Sequence, residues 1–154
     1  CMGGKQSAQR IAAGRTAAHP TQADYEALSE FRYLIRCFLE FSQTAARTVG
    51  LTPRQHQALL AIKGFPGGRA ITVGDLAGRL RIRHHSAVEL VDRLSEVDLV
   101  QRVPDPADQR RVFLSLTDRA EEYLADLSAV HLDELARIEP MLKDILKRRS
   151  AQRE

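Results

Sequence analysis

Two helix-capping signatures, Thr52-Pro53-Arg54-Gln55 and Thr72-Val73-Gly74-Asp75, constrain this chain more than any other feature. Each places a Thr hydroxyl where it can accept a backbone N–H of the first helical turn. Each also has a Gln or Asp three residues on that can answer the cap's own N–H. Pro53 strengthens the first signature, because a missing N–H costs nothing at the start of a helix. The helix beginning there runs through Leu59, Leu60 and Ile62 and stops at Gly64-Phe65-Pro66-Gly67-Gly68, a loop that no helix crosses. Ala70-Ile71 leaves room for a very short strand before the second signature. The short helix after it turns Val73, Leu76, Ala77 and Leu80 inward.

Apolar periodicity supplies the other helices. From Asp24 to Val49, Leu28, Phe31, Ile35, Phe38, Ala45 and Val49 recur every three or four residues, and Gly50 ends the run. Leu34, Cys37 and Phe41 add a second strip, more apolar surface than one contact face needs, and a subunit interface is its natural use. After a break around residues 81–83, the segment from His84 to Val97 places Ala87, Leu90, Val91, Leu94 and Val97 on one face. His84, His85, Val88, Glu89 and Asp92 lie on the other. Ser86 and Glu89 also have capping-box spacing, so periodicity leaves open a start at Ser86.

Val100–Val103 and Arg111–Leu116 alternate apolar and polar about a polar loop at 104–110, the pattern of a protruding hairpin. Thr117-Asp118 caps a long last helix with Tyr123, Leu124, Leu127, Leu135 and Ile138 on its apolar face. Pro140 is expected to kink or divide that helix. Met141, Leu142, Ile145 and Leu146 before Lys147-Arg148-Arg149 then form a terminal amphipathic piece. Residues 1–23 are rich in small and polar residues and are expected to be a disordered basic tail. Cys1 precedes Met2, which suggests a native start at Met2, and no function is assigned to Cys1.

Composition agrees with a helical fold. Of 154 residues 44% are hydrophobic but only 5% aromatic, with no Trp, so the core must rest on Leu, Ile, Val and Ala and a β-sandwich is excluded. Apolar stretches such as Ala58–Ile62 are far shorter than the roughly 20 residues of a membrane span. Two cysteines and no secretory signal point to a reducing, cytoplasmic location. The expected architecture is mainly α with a small β-hairpin wing. A winged helix-turn-helix lobe at about 52–117 is flanked by dimerisation helices at about 24–49 and 118–150.

Charge locates the function. The net charge of +3 is uneven: residues 52–117 carry ten basic and seven acidic groups, and residues 118–154 seven and nine. Arg79, Arg81, Arg83, His84 and His85 crowd into one short stretch, a cluster suited to a polyanion. A helix entering the major groove can offer side chains to base edges, and a hairpin can reach the neighbouring backbone or minor groove. The histidines have neither metal-ligand spacing nor a cysteine pair beside them. No nucleophile triad, phosphate loop or paired carboxylate is present, so neither an enzyme, a metal site nor a cofactor is expected.

Asp108-Gln109-Arg110 leading through Arg111-Val112-Phe113-Leu114-Ser115 to Leu116-Thr117 resembles the wing signature D-x-R-x-x-x-x-x-L-T of the MarR family of bacterial transcriptional regulators. Leu90-Val91-Asp92-Arg93-Leu94 and Leu99-Val100 are similar to that family's recognition-helix end and its run into the wing. The resemblance covers about residues 24–150. It implies a cytoplasmic, nucleoid-associated homodimer on the double-stranded DNA of a palindromic operator, most simply a repressor released by a small aromatic or phenolic effector. Arg83, His84, His85, Ser86, Val88 and Glu89 would face DNA from the recognition helix, and Asp108, Arg110 and Arg111 from the wing. Arg110 would enter the minor groove with its guanidinium oriented by Asp108. Glu89 departs from the family, where Arg or a neutral polar residue is common; its carboxylate would accept from cytosine N4, pair with an Arg or cap Ser86. Arg32, Phe38, Phe41, Arg47 and His56 are candidates to line an effector pocket. Two alternatives are a helical protein-interaction module that no longer binds DNA and a redox-sensing regulator using Cys37.

Overall fold

The computed structural model describes residues 19–108 and 110–151, so the expected basic tail lies outside the described residues except at its end. The helices are α1 (Gln22–Thr48), α2 (Pro53–Lys63), α3 (Val73–Leu80), α4 (His84–Glu96) and α5 (Asp118–Ala151), with strands β1 (Ile71–Thr72), β2 (Val100–Pro104) and β3 (Val112–Leu116). Local capping chemistry sets most of these bounds. Thr52 accepts the Gln55 N–H at 3.2 Å while Gln55 accepts the Thr52 N–H at 2.8 Å. Thr72 and Asp75 make the same exchange at 3.2 and 3.1 Å. A third box, Thr21 with Asp24, starts α1 two residues before the expected Asp24. Thr117 caps α5 by accepting the Ala120 N–H at 3.2 Å and donates its hydroxyl to the Asp98 carbonyl at 2.8 Å.

Three helices end in the same two-bond turn. After α1, Gly50 at φ +79° donates to Arg47 and Leu51 to Ala46. After α3 and α4 the left-handed residue is not Gly but Arg81 (φ 57°) and Asp98 (φ 54°), and Ile82 and Leu99 make the longer bonds to Ala77 and Leu94. A side chain in this region costs about 1 kcal/mol. Here that cost is offset because the turn drives Ile82 and Leu99 against the core.

The sheet has the order β1-β3-β2, all antiparallel, with Ile71 opposite Leu114 and Val100 to Pro104 running opposite Leu116 to Val112. β1 sits one residue later than expected because Thr72 serves both as strand end and as helix cap. β2 extends to Pro104, which an edge strand tolerates since its missing N–H leaves no ladder gap inside the sheet.

The core joins Leu59 and Ile62 of α2, Ile71, Leu76, the α4 face of Ala87, Leu90, Val91 and Leu94, Leu114, and Leu124 and Leu127 of α5. Helix α4 starts at His84 with Arg83 at the cap position and no side-chain cap, which decides between the two starts that periodicity leaves open and puts Ser86 inside the first turn. Two expectations are corrected. Val97 and Leu135, expected inward, are 44% and 45% exposed; Val97 lies past the last turn of α4. Pro140 does not divide α5. Strong helix formers surround it, and the ion pairs Arg137–Glu134 (2.6 Å) and Lys143–Glu139 (2.5 Å) bracket the position with the lost donor. The mainly helical fold with a hairpin wing is as expected. No helix among the described residues is long and apolar enough to cross a membrane.

Candidate nucleic-acid interface

Helix α3, the left-handed Arg81 turn and α4 form a helix-turn-helix, and the β2–β3 hairpin follows directly as a wing. The buried face of α4 leaves Arg83, His84, His85 and Glu89 exposed, with Ser86 and Val88 half-buried at the margins. Glu89 meets Arg93 one turn on at 3.4 Å, the arginine pairing among its three readings, and does not cap Ser86, which lies inside the first turn. Arg102 of β2 reaches back to Asp92 of α4 at 2.6 Å, so the wing and the helix are tied to each other on the exposed side.

The wing tip is organised by its own aspartates. Asp105 accepts the Ala107 N–H at 2.8 Å, and the loop closes through Asp105 N–H to the Arg111 carbonyl at 3.0 Å and Arg111 N–H to the Asp108 carbonyl at 2.9 Å. The Asp108 carboxylate accepts the Arg110 backbone N–H at 3.0 Å. The expected bond to the Arg110 guanidinium is thus replaced by one that shapes the turn and leaves the Arg110 side chain exposed. Arg111 turns instead along the sheet, its guanidinium 5.6 Å from the Phe113 ring centroid. It lies near enough to Asp75 to help hold that carboxyl below its usual range, although the backbone bond from Thr72 is the larger cause.

The five candidate effector residues divide. Phe38, Phe41 and His56 converge on His131, a residue that spacing arguments passed over. Its position four residues after the buried Leu127 and seven before the buried Ile138 was the signal for an inward side chain. His131 Nδ1 bonds the Leu127 carbonyl, so it carries the proton in the neutral ring, and Nε2 then accepts the Ser42 hydroxyl at 2.8 Å. Arg32 and Arg47 are exposed on α1 and take no part in the ring contacts of this cluster. Cys37 is half-buried and is the one cysteine among the described residues; its bond with the Tyr33 hydroxyl pushes that phenol's pKa up.

A winged helix-turn-helix that exposes cations from its second helix and from its wing belongs, by architecture, to the DNA-binding class. Residues 49–111 match the MarR family model, a span that takes in the helix-turn-helix and the wing as far as Arg111. The chain is 31% identical over 75 residues to the uncharacterized HTH-type transcriptional regulator YsmB of Bacillus subtilis, covering 42% of this chain and 51% of that one. It is 29% identical over 107 residues to YcgE of the same organism, also an uncharacterized HTH-type transcriptional regulator, covering 70% and 68%. The match thus spans about half the length of the first relative. Among solved structures, a MarR family protein from Bacillus stearothermophilus superposes with TM-score 0.70 at 21% identity, over 88% of this chain and 98% of that one. A MepR variant from S. aureus bound to an oligodeoxyribonucleotide superposes with TM-score 0.62 at 20% identity, over 83% and 97%. These likenesses establish the winged-helix fold, and both curated relatives are named as regulators rather than enzymes.

Proposed function

We propose that this protein is a homodimeric, sequence-specific DNA-binding transcriptional regulator, a repressor that leaves its operator when a small aromatic or phenolic molecule binds. The observation that carries the reading is the pairing of Arg83, His84 and His85, exposed at the N-terminal end of α4, with an exposed wing Arg110, the two elements tied by Arg102 and Asp92. A groove helix and a wing held in fixed relation can engage bases and backbone together, which a solvated charged surface has no need to do. Ser86, Val88 and Glu89 complete the helix face, and Asp108 and Arg111 shape and flank the wing.

Dimerisation is supported by what the monomer leaves uncovered. Tyr25, Leu28, Phe31, Ile35 and Leu39 on α1 and Leu132, Leu135, Met141 and Leu146 on α5 are all at least 40% exposed. Residues of this kind on two adjoining long helices suit burial against a second copy. The effector is assigned to the junction where Phe38, Phe41 and His56 meet His131, because a ligand there touches both the long helices and the winged lobe. Preference for one spacing of the lobes would shift the population away from the DNA-competent form. The reading places the protein in the cytoplasm, on the nucleoid.

The test is a binding titration of the full chain on its own upstream intergenic DNA and on an unrelated duplex, at rising salt. Selective binding that weakens with salt is expected. A folded dimer that binds neither duplex would favour the interaction-module reading.

A further inference from the structure

The outward ridge of α4 changes sign along its length. His84 and His85 occupy the first turn after Arg83, while Glu89, Asp92 and Glu96 follow toward the C-terminus, all exposed. Asp92 is engaged by Arg102 of the wing, and Glu96 lies at the end of the helix. Glu89 is therefore the carboxylate of this ridge placed closest to Arg83 and the two histidines, a little over one helical turn from His85 and directly opposite the buried Ala87, Leu90, Val91 and Leu94. Its contact is Arg93 at 3.4 Å, between side chains 62% and 70% exposed, a partner that solvent or a phosphate can replace.

A carboxylate brought into a DNA groove is repelled unless it meets a donor. In the major groove the base-edge donors are the amino groups of cytosine N4 and adenine N6. Adenine sets its N7 acceptor beside that amino group, where a carboxylate would face a lone pair, and guanine and thymine offer O6, N7 or O4 acceptors. Cytosine presents its amino group with no acceptor on the same base in that groove, so N4 is bordered by guanine O6 alone, whereas adenine N6 lies between N7 and thymine O4.

We infer that Glu89 is a specificity-determining residue that selects a C·G pair in each half-site by accepting from cytosine N4, with Arg93 released to a neighbouring phosphate. The inference rests on the DNA-regulator reading and deepens it. A good bidentate base contact gives about 5- to 150-fold discrimination, and this single bond to N4 is expected at the lower end of that range, about 5-fold.

Selection from a randomised duplex pool, with the full-length wild type, Glu89→Gln and Glu89→Ala, tests it. The wild-type motif should contain a symmetric pair of cytosines that Glu89→Ala loses and Glu89→Gln converts to adenine, since Gln can pair with adenine N6 and N7 together. Competition titrations at that base pair should reproduce the switch. An enriched motif that is the same in wild type and Glu89→Gln would overturn the assignment of Glu89 alone. A wild type that enriches no motif would overturn the regulator reading, and this assignment with it.

Discussion

The imidazoles of His56 and His131 meet with ring centroids 4.8 Å apart, joining α2 of the winged lobe to the long helix α5. Phe38 and Phe41 of α1 close edge-on against His131, so three helices share one buried contact. Burial first, and then the charge that His131 would carry, hold the His56 pKa below its ordinary 6.5. The unfolded chain therefore takes up a proton near that ordinary value while the folded chain refuses it until lower pH. Stability contributed by the neutral ring is fully present above about pH 6.5 and is lost as pH falls toward the native pKa. Thermal midpoints of the wild type should fall over this interval, and those of His56→Leu should fall less. Equal slopes would show that the pair does not sense protons. Asp75, Glu134 and Glu139 are lowered as well, so their contributions too are lost as pH falls, but only in the more acidic carboxylate range.

The Thr72–Asp75 box begins the helix that supports the groove helix. Removing the hydroxyl in Thr72→Ala should cost about 1 kcal/mol in urea unfolding, with an unchanged m-value. A cost near zero would mean that core packing alone positions α3.

Arg81 holds the left-handed turn between α3 and α4 without being Gly. Arg81→Gly should relieve about 1 kcal/mol of backbone cost, less what the freer unfolded chain takes back, while removing a cation from the basic stretch. Urea unfolding should show stability held or slightly raised, and DNA titration should show weaker binding with a shallower salt dependence. Lower stability would indicate that the Arg81 side chain makes a contact the fold needs.

Arg110→Ala should weaken operator binding about tenfold and leave the sedimentation of the dimer unchanged, because the wing tip stands apart from α1 and α5. Asp108→Ala should weaken binding as well, by loosening the turn around the Arg110 N–H. Unchanged affinity in Arg110→Ala would remove the wing from the interface.

What was legible in the sequence was what neighbouring residues decide among themselves. Thr52 with Gln55 and Thr72 with Asp75 act over three residues, and the hairpin strands alternate over five, so each could be read directly. Thr21 with Asp24 was equally local and was hidden only by the polar composition around it. The left-handed Arg81 and Asp98 could not be read, because their cost is met by the burial of Ile82 and Leu99 against the core. The meeting of His56 and His131 depends on how α2 and α5 pack, which no local spacing encodes. Asp108 lies in the wing loop as its sequence implies, and that its carboxylate holds the Arg110 backbone N–H was not legible because charge pairing and an Asx turn share the same spacing. That Pro140 does not divide α5 was not legible either, because a general helix breaker is tolerated where strong helix formers continue on both sides.

The central claim is that two copies of the winged lobe engage one duplex with sequence selectivity. Hydroxyl-radical footprinting of the full chain on its upstream DNA tests it most directly. The account predicts two protected centres related by a dyad and about 34 Å apart along the helix axis. Uniform cleavage at protein concentrations where the folded dimer is intact would contradict it.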